Sequence, residues 1–482
     1  MTAQPQPAFD LEVSQNAYLF AGETEMHAVL TVTAEGLEGL TGREATTAAE
    51  VIAIDCSGSM HSPPTKLRAA QDATAAAIDA LREGVFFAVV EGTHTARVVY
   101  PPDGGLVAAS TGTRAAAKHA VRRLAASGGT ALGAWLRLAD QLLAAHPTAV
   151  RHVLLLTDGK NEHETSEELD AVLAECSGRF VCDARGVGDG WEPEELLRIV
   201  SALNGTADAV REETGLAEDF TAIMRAAMRK VLPELLIRIE TSPFARVRFL
   251  RQTFPTRTDL TALGTSTGPR TTSYPTGSWG EESRDFHVCL DVRPDGLDLL
   301  EYQIAEVGLV PVHTGLGQPA AVTGTVRPIV AQWTENTVLS TVLDSKVAHA
   351  TNQAELGRAV MAGSEAYDAG DVEQAAAQWG RAVALASAQH NEKVLSRLLR
   401  LVDVVGDPAR GEVRVRTELQ LFDLKSLSLS RNYGTRGPDD VQGQSAGPPP
   451  AGPDLTCTRC RRVSSPGTAF CENCGKTFEA TA

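Results

Sequence analysis

The stretch Val51-Ile52-Ala53-Ile54-Asp55-Cys56-Ser57-Gly58-Ser59-Met60 decides the fold class of this chain. Its apolar first part, rich in β-branched residues, is typical of a strand buried on both faces of a parallel sheet. The strand ends at Asp55, and Ser57 and Ser59 follow at alternate positions before a helix begins near Lys66. Ligands of open α/β sheets bind beyond the carboxyl ends of the strands. These oxygen-bearing side chains are therefore candidates for binding a hard cation such as Mg²⁺.

Strand and helix patterns alternate from this stretch to residue 232. A second apolar strand, Val153–Thr157, ends in the same way, directly before Asp158. Such alternation predicts an α/β fold with a doubly wound, mostly parallel sheet for residues 48–232. The last helix of this domain is expected at 216–232.

Two later positions complete the candidate site. Thr130 exposes a hydroxyl in the loop Gly128-Gly129-Thr130, and Asp158 projects from the same sheet edge as Asp55 if their strands are neighbours. Two carboxylates and three hydroxyls form an octahedral oxygen site suited to Mg²⁺ or Mn²⁺. The predicted metal ligands are Asp55, Ser57, Ser59, Thr130 and Asp158.

This set resembles the von Willebrand factor type A domain with its metal-ion-dependent adhesion site. The family pattern is Asp-x-Ser-x-Ser, then a threonine in a later loop, then an aspartate usually within Thr-Asp-Gly. The matching residues are Asp55-Cys56-Ser57-Gly58-Ser59, Thr130 and Thr157-Asp158-Gly159, and the resemblance covers about 50–232. It implies that the three hydroxyls bind the metal directly and that the two aspartates bind at least partly through water. In the family, an acidic residue of a partner often completes the metal shell, and the last helix often moves.

The flanking regions follow other patterns. Alternating apolar residues at 11–33, with a hairpin turn at Gly22, and again after Pro233 predict a β-sandwich into which the α/β domain is inserted. The alternative is that 11–33 only extends the edge of the α/β sheet. Helical spacing returns after residue 334, where 366–382 looks like a tetratricopeptide unit or a plain helical hairpin. The predicted segments are 11–45 and 233–333 (β-sandwich), 48–232 (α/β), 334–430 (helical), 431–455 (flexible linker) and 456–476 (zinc ribbon).

The last segment contains a second metal motif. Two pairs of cysteines with the spacing Cys-x2-Cys-x10-Cys-x2-Cys supply four soft ligands in the arrangement of a structural zinc site. The motif resembles a short zinc ribbon, and its closed sulfur shell predicts a structural Zn²⁺ rather than a catalytic one. The predicted zinc ligands are Cys457, Cys460, Cys471 and Cys474.

The charge, the N-terminal sequence and the absence of catalytic motifs argue against several classes of function. A net charge of −17 argues against non-specific binding to nucleic acid or anionic membranes. No signal peptide or apolar run of membrane-spanning length is apparent, so a cytoplasmic location is expected, and the excess of arginine over lysine suggests a bacterial source. An aspartate at the end of a strand, such as Asp55, can be the nucleophile of a phosphotransferase, but such enzymes carry a second acid where this chain has Ser57. The sequence also contains no Gly-x-Ser-x-Gly motif of a serine nucleophile and no glycine-rich phosphate-binding loop with a lysine.

We therefore expect a non-enzymatic interaction protein that binds an Asp or Glu carboxylate of a protein partner through Mg²⁺. Two alternatives remain at this stage. One is an accessory subunit of an ATPase or of a kinase/phosphatase signalling system. The other is a nucleic-acid-associated factor acting through the zinc ribbon, whose Arg459, Arg461 and Arg462 form a small basic patch. The sequence does not indicate an oligomeric state.

Overall fold

The computed structural model describes residues 8–37, 47–211, 215–293, 301–312, 326–437, 455–456 and 463–464. The chain divides into two compact units, Met1–Thr435 and Arg436–Ala482. None of the described helices combines the length and the apolar character that crossing a bilayer requires.

The strands of the first unit are β1 (Ala8–Gln15), β2 (Tyr18–Phe20), β3 (Glu25–Glu35), β4 (Ala48–Asp55), β5 (Phe86–Gly92), β6 (Ala96–Tyr100), β7 (Val107–Ala108), β8 (Val150–Thr157), β9 (Val181–Val187), β10 (Ala207–Val210), β11 (Glu234–Thr241), β12 (Ala245–Phe254), β13 (Thr258–Asp259), β14 (Thr265–Ser266), β15 (Thr271–Pro275), β16 (Glu282–Val292), β17 (Glu301–Val312), β18 (Arg327–Thr334), β19 (Val402–Val404) and β20 (Val413–Val415). The helices are α1 (Thr65–Ala80), α2 (Thr111–Val121), α3 (Leu132–Leu143), α4 (Ser166–Cys176), α5 (Pro193–Ala202), α6 (Leu216–Met228), α7 (Thr337–Ser340), α8 (Ser345–Asp368), α9 (Val372–Ala388), α10 (Glu392–Leu401) and α11 (Leu421–Ser430).

The α/β domain is built on a seven-stranded sheet of order β10-β9-β8-β4-β5-β6, with β7 also paired to β5. Strands β10, β9, β8, β4 and β5 run parallel, whereas β6 and β7 are antiparallel to β5. The predicted α/β fold with a mostly parallel sheet is therefore confirmed. The final helix ends at Met228, a turn earlier than the predicted residue 232.

Strand β4 is apolar apart from Glu50 and the terminal Asp55, because both of its faces are covered. Ile52 and Ile54 pack in one core with α1, α2 and α6, and Val51 and Ala53 pack in the other with α3, α4 and α5. Every residue of β4 is buried. Alternate strand residues point to opposite faces, so a strand between two helical layers has no polar side.

Within this sheet, a buried ion cluster crosses three neighbouring strands. His152 of β8 lies between Glu50 of β4, at 2.8 Å from its Nδ1, and Asp183 of β9, at 3.1 Å from its Nε2. Burial alone would lower the pKa of His152, but the two carboxylates outweigh it and raise that pKa to about 10. The imidazolium in turn lowers the pKa of Asp183 against the opposing effect of burial. The cluster therefore carries a buried positive charge between two negative ones.

Strands from both sides of the α/β domain lie in the same two sheets. A five-stranded sheet has the order β1-β3-β16-β12-β13, and a six-stranded sheet has the order β14-β15-β11-β17-β18-β2. Strand β3 pairs antiparallel with β16, and β2 pairs parallel with β18. The inner faces of both sheets share one hydrophobic core, which contains Trp279 and Trp333.

The expected hairpin at Gly22 is not formed. A turn does occur there, with the amide of Glu23 donating to the carbonyl of Phe20 (2.9 Å). However, β2 before the turn and β3 after it belong to different sheets, and β1 is the strand that pairs with β3. The buried Leu19 anchors β2 to the core of the neighbouring sheets, which outweighs local pairing.

The helical region contains the antiparallel pair α8 and α9, packed around the buried Trp379. The turn between them uses Gly370 at φ +81°, and the Asp371 side chain caps α9 by accepting from the amide of Gln374 (2.9 Å). Two short strands, β19 and β20, form an antiparallel pair that the helical pattern did not predict.

This region contacts the α/β domain through α10 and α11. Phe422 and Leu429 of α11 join the core beneath α3, α4 and α5. Asp208 at the end of the α/β sheet pairs with Lys393 at 2.9 Å and with Arg397. Burial opposes ionisation of Asp208, but these two cations lower its pKa.

The predicted flexible linker begins too early. The chain remains packed as far as Thr435, the last residue of the first compact unit. Tyr433 pairs with Thr256 across an isolated bridge, and its hydroxyl donates to the carbonyl of Ala207 (3.2 Å). A partly buried aromatic ring holds this segment against its neighbours, although the composition of the segment is polar.

The second compact unit contains a pair of short antiparallel strands, β21 (Leu455–Thr456) and β22 (Val463–Ser464). The four predicted zinc ligands, Cys457, Cys460, Cys471 and Cys474, lie outside the described residues. The zinc ribbon therefore stays a prediction. Among the described cysteines, Cys56, Cys176, Cys182 and Cys289 are buried free thiols.

Candidate metal centre

The candidate site lies at the carboxyl ends of two adjacent parallel strands. Asp55 is the last residue of β4, and Asp158 directly follows β8. The two strands are hydrogen-bonded neighbours, as the sequence prediction required. Both carboxylates are fully buried.

Asp55 is fixed by three hydrogen bonds. Its Oδ1 accepts from the amide of Ser57 (2.7 Å), and its Oδ2 accepts from Thr157 Oγ1 (2.7 Å) and from the amide of Asp158 (3.2 Å). Burial raises the pKa of Asp55 to about 6, although the Ser57 and Thr157 hydrogen bonds lower it, and the charge of Asp158 adds to the rise. Placing two carboxylates so close in a buried site favours binding of a cation.

The hydroxyls form a chain that leads from Asp158. Ser59 Oγ donates to Asp158 Oδ1 (2.6 Å), and Ser57 Oγ lies 2.9 Å from Ser59 Oγ. Thr130 Oγ1 and Ser59 Oγ both lie next to Gly159. A methyl group added to the α-carbon of Gly159 would be 3.3 Å from Thr130 Oγ1 and 3.4 Å from Ser59 Oγ. Thr130 therefore faces the same point as the two serines. The structure thus brings all five predicted oxygen-bearing side chains together.

A lysine not included among the predicted site residues also reaches this point. Lys66, in the first turn of α1, places its Nζ 2.6 Å from Asp158 Oδ2 and 3.4 Å from the carbonyl of Ser59. The Lys66 side chain is only 13% exposed, so this ion pair is well shielded from water. The ammonium places one positive charge against the buried Asp158 carboxylate.

Backbone hydrogen bonds hold the loop that carries Thr130. The amide of Gly58 donates to the carbonyl of Gly128 (2.8 Å), and the amide of Ser127 donates to the carbonyl of Cys56 (2.7 Å). The amide of Ala131 donates to the carbonyl of Thr93 (3.0 Å). Gly128 has φ +77°, a conformation that residues with side chains rarely adopt. The Asp-x-Ser-x-Ser loop and the Thr130 loop therefore form one rigid unit.

The segment after Asp158 fixes the start of α3. Asn161 accepts from the amide of Leu132 (2.9 Å), and the Glu164 carboxylate accepts from the amides of Gly133 (2.7 Å) and Ala134 (2.8 Å). These bonds satisfy amides at the helix N-terminus that would otherwise lack acceptors. Asn161 and Glu164 were not predicted as site residues, because the only indication of them in the sequence is that they follow Asp158 closely.

The donor set fits a hard divalent cation. Carboxylate and hydroxyl oxygens are the ligands that Mg²⁺ and Mn²⁺ prefer, and among the five predicted ligands there is no sulfur or nitrogen donor. If such an ion is bound, Ser57, Ser59 and Thr130 offer neutral oxygens and Asp55 and Asp158 neutralise its charge. Lys66 would then leave Asp158 Oδ2.

Gly190 provides a test of how tightly Asp158 is positioned. A Cβ at this residue would lie 2.3 Å from the carbonyl oxygen of Asp158. We expect Gly190→Ala to displace that backbone and to lower the free energy of unfolding by about 1–3 kcal/mol, as overpacking does. The matched control is Gly112→Ala in α2, where the nearest atom is 3.9 Å away. Chemical denaturation showing equal stability for Gly190→Ala and the native chain would contradict this packing.

Comparison with known proteins gives the family. The profile of the von Willebrand factor type A domain matches residues 49–209. A solved structure described as von Willebrand factor type A from Catenulispora acidiphila is 40% identical, with a TM-score of 0.81, and the alignment covers 91% of this chain and 99% of that chain. The chain belongs to the von Willebrand factor type A family. Type A domains typically mediate protein–protein interactions.

Two further relatives extend the comparison. The ArnB paralog VWA2 from Sulfolobus acidocaldarius shares the fold at 11% identity, with a TM-score of 0.52 over 89% of this chain and 98% of that chain. The uncharacterized protein sll0103 of Synechocystis sp. is 27% identical over 217 residues, which are 44% of this type A protein and 49% of that relative. The chain thus spans about half the length of that curated relative.

Proposed function

We propose that this type A protein is a non-enzymatic interaction protein that binds a partner's Asp or Glu carboxylate through a Mg²⁺ ion. The observation that carries the proposal is the convergence of five side-chain oxygen donors, four of them buried, at one edge of the sheet beside the Lys66 ammonium. The proposed ligands are Asp55, Ser57, Ser59, Thr130 and Asp158.

Charge counting supports a carboxylate as the outside ligand. Two carboxylates offset the two positive charges of a divalent ion, and Lys66, displaced from Asp158 Oδ2 but held beside the centre by α1, adds a further positive charge. An anionic oxygen from a partner both fills a remaining coordination position and neutralises that charge. The net charge of −17 would otherwise repel an acidic partner, so the metal supplies a local attraction.

Two exposed histidines border the site. The rings of His94 and His163 lie 5.9 Å apart and pack against the glycines of the Thr130 loop. An imidazole N–H can donate a hydrogen bond to a second carboxylate oxygen. In the proposal, these rings help to orient the partner's carboxylate over the metal.

A partner pull-down tests the proposal. We expect the tagged protein to capture its partner in Mg²⁺, to lose it in EDTA, and to lose it when Asp55→Ala is used in Mg²⁺. The matched control is Asp79→Ala, which removes an exposed acid paired with Lys118. Partner capture that survives both EDTA and Asp55→Ala would exclude the metal-dependent mechanism.

Lys66 gives a prediction about metal affinity. Because its ammonium pairs with Asp158 Oδ2, it competes with an incoming cation. Breaking such a pair costs on the order of 1 kcal/mol, so Lys66→Met should tighten Mg²⁺ binding about fivefold in calorimetric titration. Lys118→Met, which removes a lysine paired with Asp79 away from the site, should leave the affinity unchanged. An affinity that falls in Lys66→Met would contradict competition.

The proposal also covers the domain arrangement around the site and the cellular location of the protein. The two sheets are taken as a β-sandwich with the α/β domain inserted, which their shared core and the β3–β16 pairing support. A cytoplasmic location is supported by the four buried free thiols, because reducing compartments keep cysteines unpaired.

A further inference from the structure

A second group of side chains of metal-ligand type lies on the outer face of the five-stranded sheet, a different sheet from the one that carries the site described above. Glu25 and His27 belong to β3, and Cys289 belongs to β16. The register pairs Cys289 with His27, and it pairs Asp291 with Glu25. Their apolar neighbours Met26, Ala28, Val288 and Leu290 point into the core, so this group occupies the opposite face.

The three side chains are close enough to share one ion. One donor atom from each of Glu25, His27 and Cys289 lies within 4.8 Å of the others. His27 Nε2 is 3.9 Å from Cys289 Sγ and 3.6 Å from Glu25 Oε2. Ligands of a tetrahedral zinc ion stand roughly 3.3–3.6 Å apart, given the usual Zn–S, Zn–N and Zn–O distances. The two distances from His27 Nε2 are close to that range, and the separation between Cys289 Sγ and the Glu25 carboxylate, at most 4.8 Å, would contract when zinc binds.

A hydrogen bond on the other side of the ring orients His27. Its Nδ1 lies 3.0 Å from Nε2 of His287, which is also on β16. A His27 that donates from Nδ1 presents the lone pair of Nε2 towards Cys289 and Glu25. Metal-ligating histidines are held by such a second hydrogen bond as a rule.

The surroundings distinguish this group from an ordinary acidic surface. Cys289 is completely buried, and the Phe249 ring packs 6.2 Å from His27 and 5.1 Å from His287, between centroids. Glu25, which is about half exposed, also accepts from Arg248. A buried thiol, an oriented imidazole and a reachable carboxylate converge here, and this mixture of S, N and O donors suits zinc.

We propose that Glu25, His27 and Cys289 bind a Zn²⁺ ion, with His287 as a positioning residue and a fourth coordination position left for water or an outside ligand. The soft thiolate separates this site from the all-oxygen Mg²⁺ site. Binding displaces the Cys289 thiol proton to solvent, because the metal ligand is the thiolate.

Metal counting on the full-length, chelator-treated chain tests the proposal. We expect the native chain to bind one more equivalent of Zn²⁺ than Cys289→Ser and His27→Gln, whatever the C-terminal cysteines contribute. The control variants are Cys176→Ser, which alters another buried thiol, and His119→Gln on the exposed face of α2; both should match the native chain. Equal stoichiometry in the native chain, Cys289→Ser and His27→Gln would overturn the proposal.

Two further variants extend the test, and the first of them alters a side chain that is not buried. Glu25→Gln alters a half-exposed side chain, and we expect it to weaken Zn²⁺ binding about tenfold while unfolding of the metal-free chain is unchanged. His287→Leu should weaken binding by about 10–100-fold, as loss of a supporting hydrogen bond does. With Co²⁺ as the probe, the native chain should show a thiolate charge-transfer band that exceeds that of Cys289→Ser. Unchanged affinity in Glu25→Gln and an identical Co²⁺ spectrum in Cys289→Ser would each count against the site.

Discussion

Asp55→Ala is expected to weaken Mg²⁺ binding by at least about 100-fold. The buried carboxylate both neutralises the proposed ion and accepts hydrogen bonds from the Ser57 amide, the Thr157 hydroxyl and the Asp158 amide. Its removal would deprive the cation of a charge and free the loop that presents Ser57. Bonds to charged groups contribute about 1.5–3 kcal/mol, which corresponds to an affinity change of roughly 10–150-fold before the lost charge is counted. Calorimetric titration of the chelator-treated protein with Mg²⁺ measures the effect.

Asp55→Ala could weaken Mg²⁺ binding by unfolding the site as well as by removing a ligand, so a second variant separates the two effects. Ser59→Ala removes one proposed ligand and one hydrogen bond to Asp158, and it leaves Asp55 in place. We expect it to weaken Mg²⁺ binding while the thermal unfolding of the metal-free protein changes little. Asp79→Ala serves as the matched control for the loss of one negative charge. Native-like Mg²⁺ affinity in both Asp55→Ala and Ser59→Ala would disprove the assignment of the site.

His152→Leu is expected to lower the free energy of unfolding by about 3–5 kcal/mol, the usual loss when one partner of a buried ion pair is removed. Glu50 is almost completely buried and forms an ion pair with the Nδ1 side of this imidazole. Asp183 forms an ion pair with the Nε2 side. Without the cation, the two carboxylates would face each other across an apolar gap. Urea denaturation near neutral pH measures the loss.

The same cluster predicts a pH dependence. The pKa of His152 is raised from its ordinary value of 6.5 to about 10, so the unfolded chain gives up this proton at lower pH than the folded chain. The stabilising effect is therefore complete below about pH 6.5 and is lost as the pH rises through about 10. Asp183 acts in the opposite range: because its pKa is lowered, its contribution is lost as the medium becomes acidic.

Two further histidine variants show whether the effect belongs to the buried charge of His152. His119→Leu, at an exposed position of α2, should change stability by no more than about 0.5 kcal/mol. His152→Gln keeps hydrogen-bonding groups and loses the charge. The native chain should lose the His152 contribution to its free energy of unfolding between pH 7 and 10, and His152→Gln should show no such loss. A native-like pH profile in His152→Gln, or a loss below about 1 kcal/mol in His152→Leu, would show that the buried charge is unimportant.

The sequence predicted the fold of the α/β domain and the gathering of its site residues for one physical reason. Apolar runs that end in Asp55 and Asp158 identify buried parallel strands, and the carboxyl ends of such strands meet at one edge. Thr130 could be added because glycines marked its loop. Lys66 escaped notice because a lysine in a first helical turn usually points into solvent, and nothing local indicates that it turns towards Asp158.

Long-range pairings could not be predicted. His27 and Cys289 are separated by 262 residues, and their register depends on β3 crossing to β16 rather than pairing locally. The same limit applies to β2, whose partner β18 follows the whole α/β domain. Alternation identifies the faces of a strand but not its neighbours. The packed segment around Tyr433 was missed because the contacts of one partly buried ring outweigh a polar composition.

Anomalous scattering from crystals of the full chain grown with Mn²⁺ tests the central claim most directly. We predict a peak bonded to Ser57 Oγ and Ser59 Oγ, with Thr130, Asp55 and Asp158 around it. Lys66 Nζ should have moved away from Asp158 Oδ2, which it contacts at 2.6 Å without metal. Saturating Mn²⁺ that leaves Lys66 on Asp158 and produces no peak among these five residues would contradict the account.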